Sequence, residues 1–216
     1  SLNTSAVTLA YDSAHVASAS QIAASGSVGF TISNTANNSV SSDYSFTAPT
    51  VTPVAASITP AVLVPTLSNA GVAKVYNGNT LAPSGFTPIW SLSGLVSGDS
   101  SATLSYGAAT YDSPNVSTAT KLTVSGLQIT GITGGNQSVA SDYVLDATSK
   151  DVSASISQKT VGLSANRVYT GNTDLTGAVT VATGVGGETL AYTGAVASNA
   201  NVATANKYVS AIALAD

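Results

Sequence analysis

The hexapeptide YDSAHV at Tyr11–Val16 returns as YDSPNV at Tyr111–Val116. Working outward, SSDY ending at Tyr44 returns as ASDY ending at Tyr143, and VAASI at Val54–Ile58 returns as VSASI at Val152–Ile156. The three offsets are 100, 99 and 98 residues. A further pair, VYNGNT at Val75–Thr80 and VYTGNT at Val168–Thr173, lies 93 apart. Self-similarity at a nearly fixed period is the mark of an array of structural modules.

Aligning the copies places the junctions just after Ile58 and Ile156. Residues 59–156 then form one complete module, residues 1–58 match its second half, and residues 157–216 match its first half. In the third copy Asn201-Val202-Ala203-Thr204 and Lys207 fall on Asn115-Val116-Ser117-Thr118 and Lys121, at an offset of 86, and the copy stops before an SDY segment. No flexible Gly/Ser spacer separates the modules, which predicts elongated β-modules joined end to end as a rod. Copies cut in mid-module would leave open sheet edges. Either the halves complete themselves differently, or the structural units are permuted relative to the sequence repeat.

Alternation of period two, rich in Val, Ile, Thr and Tyr, runs through the chain and helical periodicity does not. Ala102–Tyr111, Thr120–Ile132, Asp142–Thr148 and Asp151–Ala165 all read as strands or strand pairs. Gly94, Gly98-Asp99, Ser113-Pro114-Asn115, Gly134-Gly135-Asn136 and Gly186-Gly187 punctuate them. The expectation is an all-β fold, with sandwich and β-grasp-like packing both open.

Of the 216 residues only 7% are charged, against about a quarter in ordinary soluble domains, so Ser, Thr, Asn and Gln must supply the polar surface. The net charge is −4 and the six Lys and Arg do not cluster, which argues against nucleic acid or an anionic membrane as partner. Cysteine is absent, excluding disulfides and thiolate metal sites. The sequence opens at Ser1 without the basic and apolar stretches of a signal peptide, and it contains no apolar run long enough to span a bilayer. The expected context is an internal piece of a longer, exported protein.

The order of motifs is VY-x-GNT, an NV-x-T pair followed by Lys, a DY-x-L segment, and an exit at Ile58-Thr59-Pro60. It resembles the YDG/MBG-type repeats of very large bacterial adhesins, many of them filamentous-haemagglutinin-like proteins exported by two-partner secretion. That family's opening motif is typically VYDGTT; here Asn77 or Thr170 stands where Asp is usual. The resemblance covers essentially the whole chain. It implies a secreted, surface-exposed stalk serving adhesion or biofilm formation, and it brings no catalytic residues.

Each motif also has a reading in terms of local structure. In Tyr76, Gly78, Asn79 and Thr80, and in Tyr169, Gly171, Asn172 and Thr173, the tyrosine ends a strand and glycine supplies a positive φ. Asn and Thr then close the turn through side-chain to backbone hydrogen bonds. Asp112 and Asp142 recur as Asp12 and Asp43, so carboxylates near carbonyls raise Ca²⁺ as a candidate ligand. Against it, Ser198 replaces the first aspartate in the third copy, no D-x-D-x-D loop occurs, and turn capping accounts for the residues without a cofactor. Trp90 lacks an aromatic counterpart in the third copy and is the candidate for contact with a ligand such as polysaccharide or a host surface. Such a contact would make the array a binding module rather than a stalk.

An enzyme is not expected. His15 is the sole histidine and becomes Asn115 and Asn201 in the sister copies, and no G-x-S-x-G elbow exists to activate a serine. Glu188 is the sole glutamate. Lys121 and Lys207 recur near Asn115 and Asn201, but Gln21 at this position in the first copy excludes a lysine–asparagine cross-link common to every repeat.

Overall fold

A computed structural model describes residues 2–32, 36–47 and 50–215. Among the described residues regular structure is all-β apart from two single turns of 3₁₀ helix, Ser41–Asp43 and Ala140–Asp142. The first copy holds β1 (Leu2–Asn3), β2 (Thr8–Tyr11), β3 (Gln21–Ser25), β4 (Gly29–Phe30) and β5 (Val54–Ala55). The middle copy opens with β6 (Ala61–Leu67), β7 (Val72–Val75), β8 (Trp90–Ser93), β9 (Asp99–Ser105) and β10 (Ala108–Tyr111). It continues with β11 (Lys121–Ser125), β12 (Gln128–Gly134), β13 (Tyr143–Leu145) and β14 (Ser149–Ser157). The third copy has β15 (Gly162–Ala165), β16 (Val179–Ala182), β17 (Ala191–Ala197) and β18 (Val209–Ala215). No helix among these residues is long and apolar enough to cross a membrane.

The chain divides into two compact units that are interleaved in sequence. One comprises residues 1–68, 88–108 and 124–150; the other comprises residues 69–87, 109–123 and 151–216. Strands β11 and β14 each straddle the division.

In the first unit β6 runs parallel to β13 (Tyr143↔Ala61 to Leu145↔Leu63) and antiparallel to β8 (Val64↔Ser93 to Leu67↔Trp90). Pro65 has no N–H to donate, and it falls beyond the β13 pairing, where β6 has a neighbour on one side only. Strands β9 and β12 form an antiparallel ribbon with two register irregularities. The shorter β1–β4 pair stands at the corresponding place in the first copy, and β2, β3 and β5 form an antiparallel sheet. Buried Leu63, Pro65, Leu67, Val124, Leu127 and Tyr143 make the core of this unit.

In the second unit β14 lies between β11 and β7 and runs parallel to β7 (Ala154↔Val72 to Ser157↔Val75). Strands β15–β16 and β17–β18 are antiparallel pairs. Val72, Tyr111, Leu122, Ile156, Leu175 and Ala195 are buried here. The parallel β7–β14 pair joins residues some eighty apart in sequence, a pairing that only a long crossover connection allows.

Candidate functional site

The recurring motifs are the natural places to look for function, and each begins as a backbone problem. A strand that ends and reverses leaves carbonyls without partners in the ladder, and these are met by side chains or by water. In VYNGNT the donor is Lys74, one residue before the motif. Its ammonium donates to Asn77 Oδ1 (2.9 Å), the Asn79 carbonyl (2.7 Å), Asn79 Oδ1 (3.0 Å) and the Leu81 carbonyl (2.9 Å). Partial burial lowers its pKa, and the four acceptors hold the charge where it is. The ammonium also lies 5.1 Å from the Tyr111 ring centroid.

In VYTGNT the same task falls to Arg167, whose guanidinium donates to the carbonyls of Asn172 and Asp174, the positions equivalent to Asn79 and Leu81. Asn79 Oδ1 accepts from the Leu81 N–H at 3.0 Å, and Asn172 Oδ1 from the Asp174 N–H at 3.1 Å. Gly78 and Gly171 adopt φ of +78° and +79°. The carbonyls of Thr80 and Thr173 accept from the N–H of Tyr111 (2.7 Å) and Ala197 (2.8 Å), tying each turn to the strand downstream. Tyr76 is half-buried and its hydroxyl donates to Glu188 at 2.5 Å, which raises the phenol pKa; Tyr169 is exposed.

The aspartates that could have suggested a cation are occupied by donors. Asp112 Oδ1 accepts from the N–H groups of Thr120 (3.0 Å) and Lys121 (3.3 Å), and Oδ2 from the Thr120 hydroxyl (2.6 Å). Asp12 makes the same three bonds to Ser20 and Gln21, at 2.9, 3.3 and 2.6 Å. The Thr120 hydroxyl first, then the two N–H groups, holds Asp112 well below the ordinary carboxylate range, at about 2. In the third copy Ser198 replaces the aspartate, and Lys207 donates instead to the carbonyls of Asn201, Val202 and Thr204. Lys121 pairs with Asp151 at 2.6 Å.

Asp142, in the first unit, receives the Val139 N–H (2.9 Å), the Val16 N–H (2.8 Å) and His15 Nδ1 (2.7 Å). Burial works against its ionisation, but these donors outweigh it and its pKa is lowered. Both oxygens of Asp112 and of Asp142 are thus engaged by donors of the protein. No group of three or more His, Cys, Asp or Glu converges among the described residues.

Trp90 sits at the start of β8, half-buried opposite Leu67. Tyr143 is buried; its hydroxyl donates to Asp99 at 2.6 Å and accepts the Val96 N–H at 3.0 Å. Tyr44, its counterpart, is 54% exposed.

Two contacts at these motifs lie beyond the sequence reading, which did not pair their residues. The cation before each VY-x-GNT turn left a signal, since Lys74 and Arg167 precede the motif in both copies. The His15–Asp142 pair left none, because it occurs once and joins residues 127 apart.

No curated protein and no solved structure matches the chain. Residues 59–150 match the YDG domain family. A YDG domain is therefore present in the middle copy, and it includes the VYNGNT turn, the Asp112 cap and the Asp142-Tyr143 segment.

Proposed function

We propose that this chain is a structural segment of the stalk of a secreted bacterial surface adhesin, in which tandem β-modules hold a distal binding region away from the cell. The observation that carries this reading is the use made of the recurring polar residues. Lys74 and Arg167 satisfy the carbonyls of their own turns, and Asp12 and Asp112 cap their own loops with matching bonds. What the copies share is spent on keeping the chain in place. Residues retained for a ligand would leave polar atoms unsatisfied and facing outward.

The reading makes the protein a non-enzyme without a cofactor, located at the outer cell surface. Its partners are neighbouring repeats of the same chain, and nucleic acid and membrane insertion play no part. The low charge suits a long exposed surface, since it limits nonspecific electrostatic attraction.

The rival reading is a binding module that recognises polysaccharide or another surface ligand, and half-buried Trp90 motivates it. A panel of glycans and matrix proteins separates the two. The stalk reading expects no saturable binding of any glycan or matrix protein on that panel. Binding that Trp90→Ala abolishes would establish the rival.

A further inference from the structure

Asn77-Gly78, inside the VYNGNT turn, is the one Asn-Gly step in the sequence; in the third copy Thr170 stands before Gly171. Both Asn77 and Gly78 are exposed, so water reaches them. Gly78 holds a φ of +78°, and its N–H donates to no acceptor among the described residues. A glycine has no Cβ to crowd its own nitrogen, so that nitrogen can close on the side chain before it.

The Asn77 amide is held by its oxygen alone. Oδ1 accepts from the Lys74 ammonium at 2.9 Å and from the Asn79 N–H at 3.4 Å, while Nδ2 makes no hydrogen bond among the described residues. A cation on a carbonyl oxygen draws density from the carbon and stabilises the oxyanion that forms when that carbon is attacked. Asn79 and Asn172, in the same two turns, offer a contrast. Each is followed by Thr, whose branched side chain crowds the nitrogen that would have to attack.

We propose that Asn77-Gly78 is a site of spontaneous deamidation, in which Lys74 polarises the asparagine amide and then pairs with the carboxylate produced. The Gly78 nitrogen gives its proton to solvent base and bonds to Asn77 Cγ, whose π electrons move onto Oδ1. When they return, the Cγ–Nδ2 bond breaks, and Nδ2 takes up a proton and leaves as ammonia. The chain is left with a cyclic succinimide, which water opens. Breaking the bond from Cγ to the Gly78 nitrogen gives aspartate; breaking the bond from the main-chain carbonyl carbon to that nitrogen gives isoaspartate. The aspartate carboxylate lies where Oδ1 lies now, within reach of the ammonium. The third copy cannot follow this course, because Thr170 has no amide to lose. The inference rests on the chemistry of this turn and is independent of the stalk reading.

The test is incubation of the folded chain at mildly alkaline pH in water enriched in heavy oxygen, followed by peptide mapping with mass spectrometry. Asn77 should convert about tenfold faster than any other asparagine, and its product should carry the heavy isotope. The synthetic peptide AKVYNGNTLA, which has the turn's sequence without the fold, should convert no faster than the folded chain. Lys74→Met should slow the reaction severalfold, and Lys74→Arg should not. Asn77→Asp, which mimics the product, should melt above the parent chain, with a gain that fades in high salt. Conversion at Asn77 no faster than at the other asparagines would overturn the inference, as would a free peptide that outpaces the folded chain. A Lys74→Met chain that converts as fast as the parent, or an Asn77→Asp chain that melts below it, would overturn the part given to Lys74.

Discussion

Lys74 and Arg167 stand at the same position in successive repeats, and each turns its cation back onto the carbonyls of the adjoining turn. The residue type changes and the role does not. An ammonium and a guanidinium differ in shape and donor number, so the shared requirement is positive charge with several N–H donors at this point.

Lys74→Met should therefore destabilise the chain by about 1 kcal/mol, because the acceptors of this exposed turn exchange their ammonium donor for water. Lys74→Arg should be nearly neutral. Urea unfolding of both variants checks the pair.

Gly78 and Gly171 share a left-handed φ but not their surroundings. A Cβ at Gly78 would meet Val185 Cγ1 at 3.0 Å and Glu188 at 3.2 Å, whereas one at Gly171 meets nothing within 4 Å. Both alanine substitutions incur backbone strain of about 1–2 kcal/mol. Gly78→Ala should lower the melting temperature further than Gly171→Ala, and equal losses would show that the contact with Val185 and Glu188 is dispensable.

The Asp112 carboxyl titrates near 2 in the folded chain and at its ordinary, higher value when unfolded. The unfolded state thus binds more protons through that window, so the capping contribution is complete above the unfolded value and disappears as pH falls towards 2. Asp112→Asn should lower the melting temperature at neutral pH, with the difference from the parent chain shrinking between about pH 5 and pH 2. A difference that stays constant with pH would remove the carboxylate cap from the account.

Asp142 accepts three bonds and His15 supplies one of them. Asp142→Ala should cost about 1–3 kcal/mol, and His15→Ala should cost less, because the N–H groups of Val139 and Val16 lose their acceptor only in the former. Thermal unfolding of the two single variants orders them.

The strand positions were legible because β-alternation and glycine punctuation are local signals. Asp142–Thr148 became β13, and Asp151–Ala165 became β14 and β15. The positive φ at Gly78 could be read from the turn motif for the same reason. Pairing was not legible. The parallel contacts of β6 with β13 and of β7 with β14 depend on crossovers that carry no sequence mark, and they interleave the two compact units along the chain. Exposure was hidden too: Tyr11 and Tyr111 sit in nearly identical hexapeptides, yet one is 45% and the other 3% exposed. Around Tyr111 the Lys74 ammonium lies 5.1 Å from the ring centroid, and the Thr80 carbonyl accepts the Tyr111 N–H at 2.7 Å, contacts that the hexapeptide itself does not encode.

The central claim, that these modules act as a spacer, is tested most directly by small-angle X-ray scattering of the chain in solution. A compact protein of 216 residues has a radius of gyration of about 17 Å. The stalk account predicts a value well above this, with a long-tailed pair-distance distribution. A radius near that of a compact sphere, with a symmetric distribution, would contradict it.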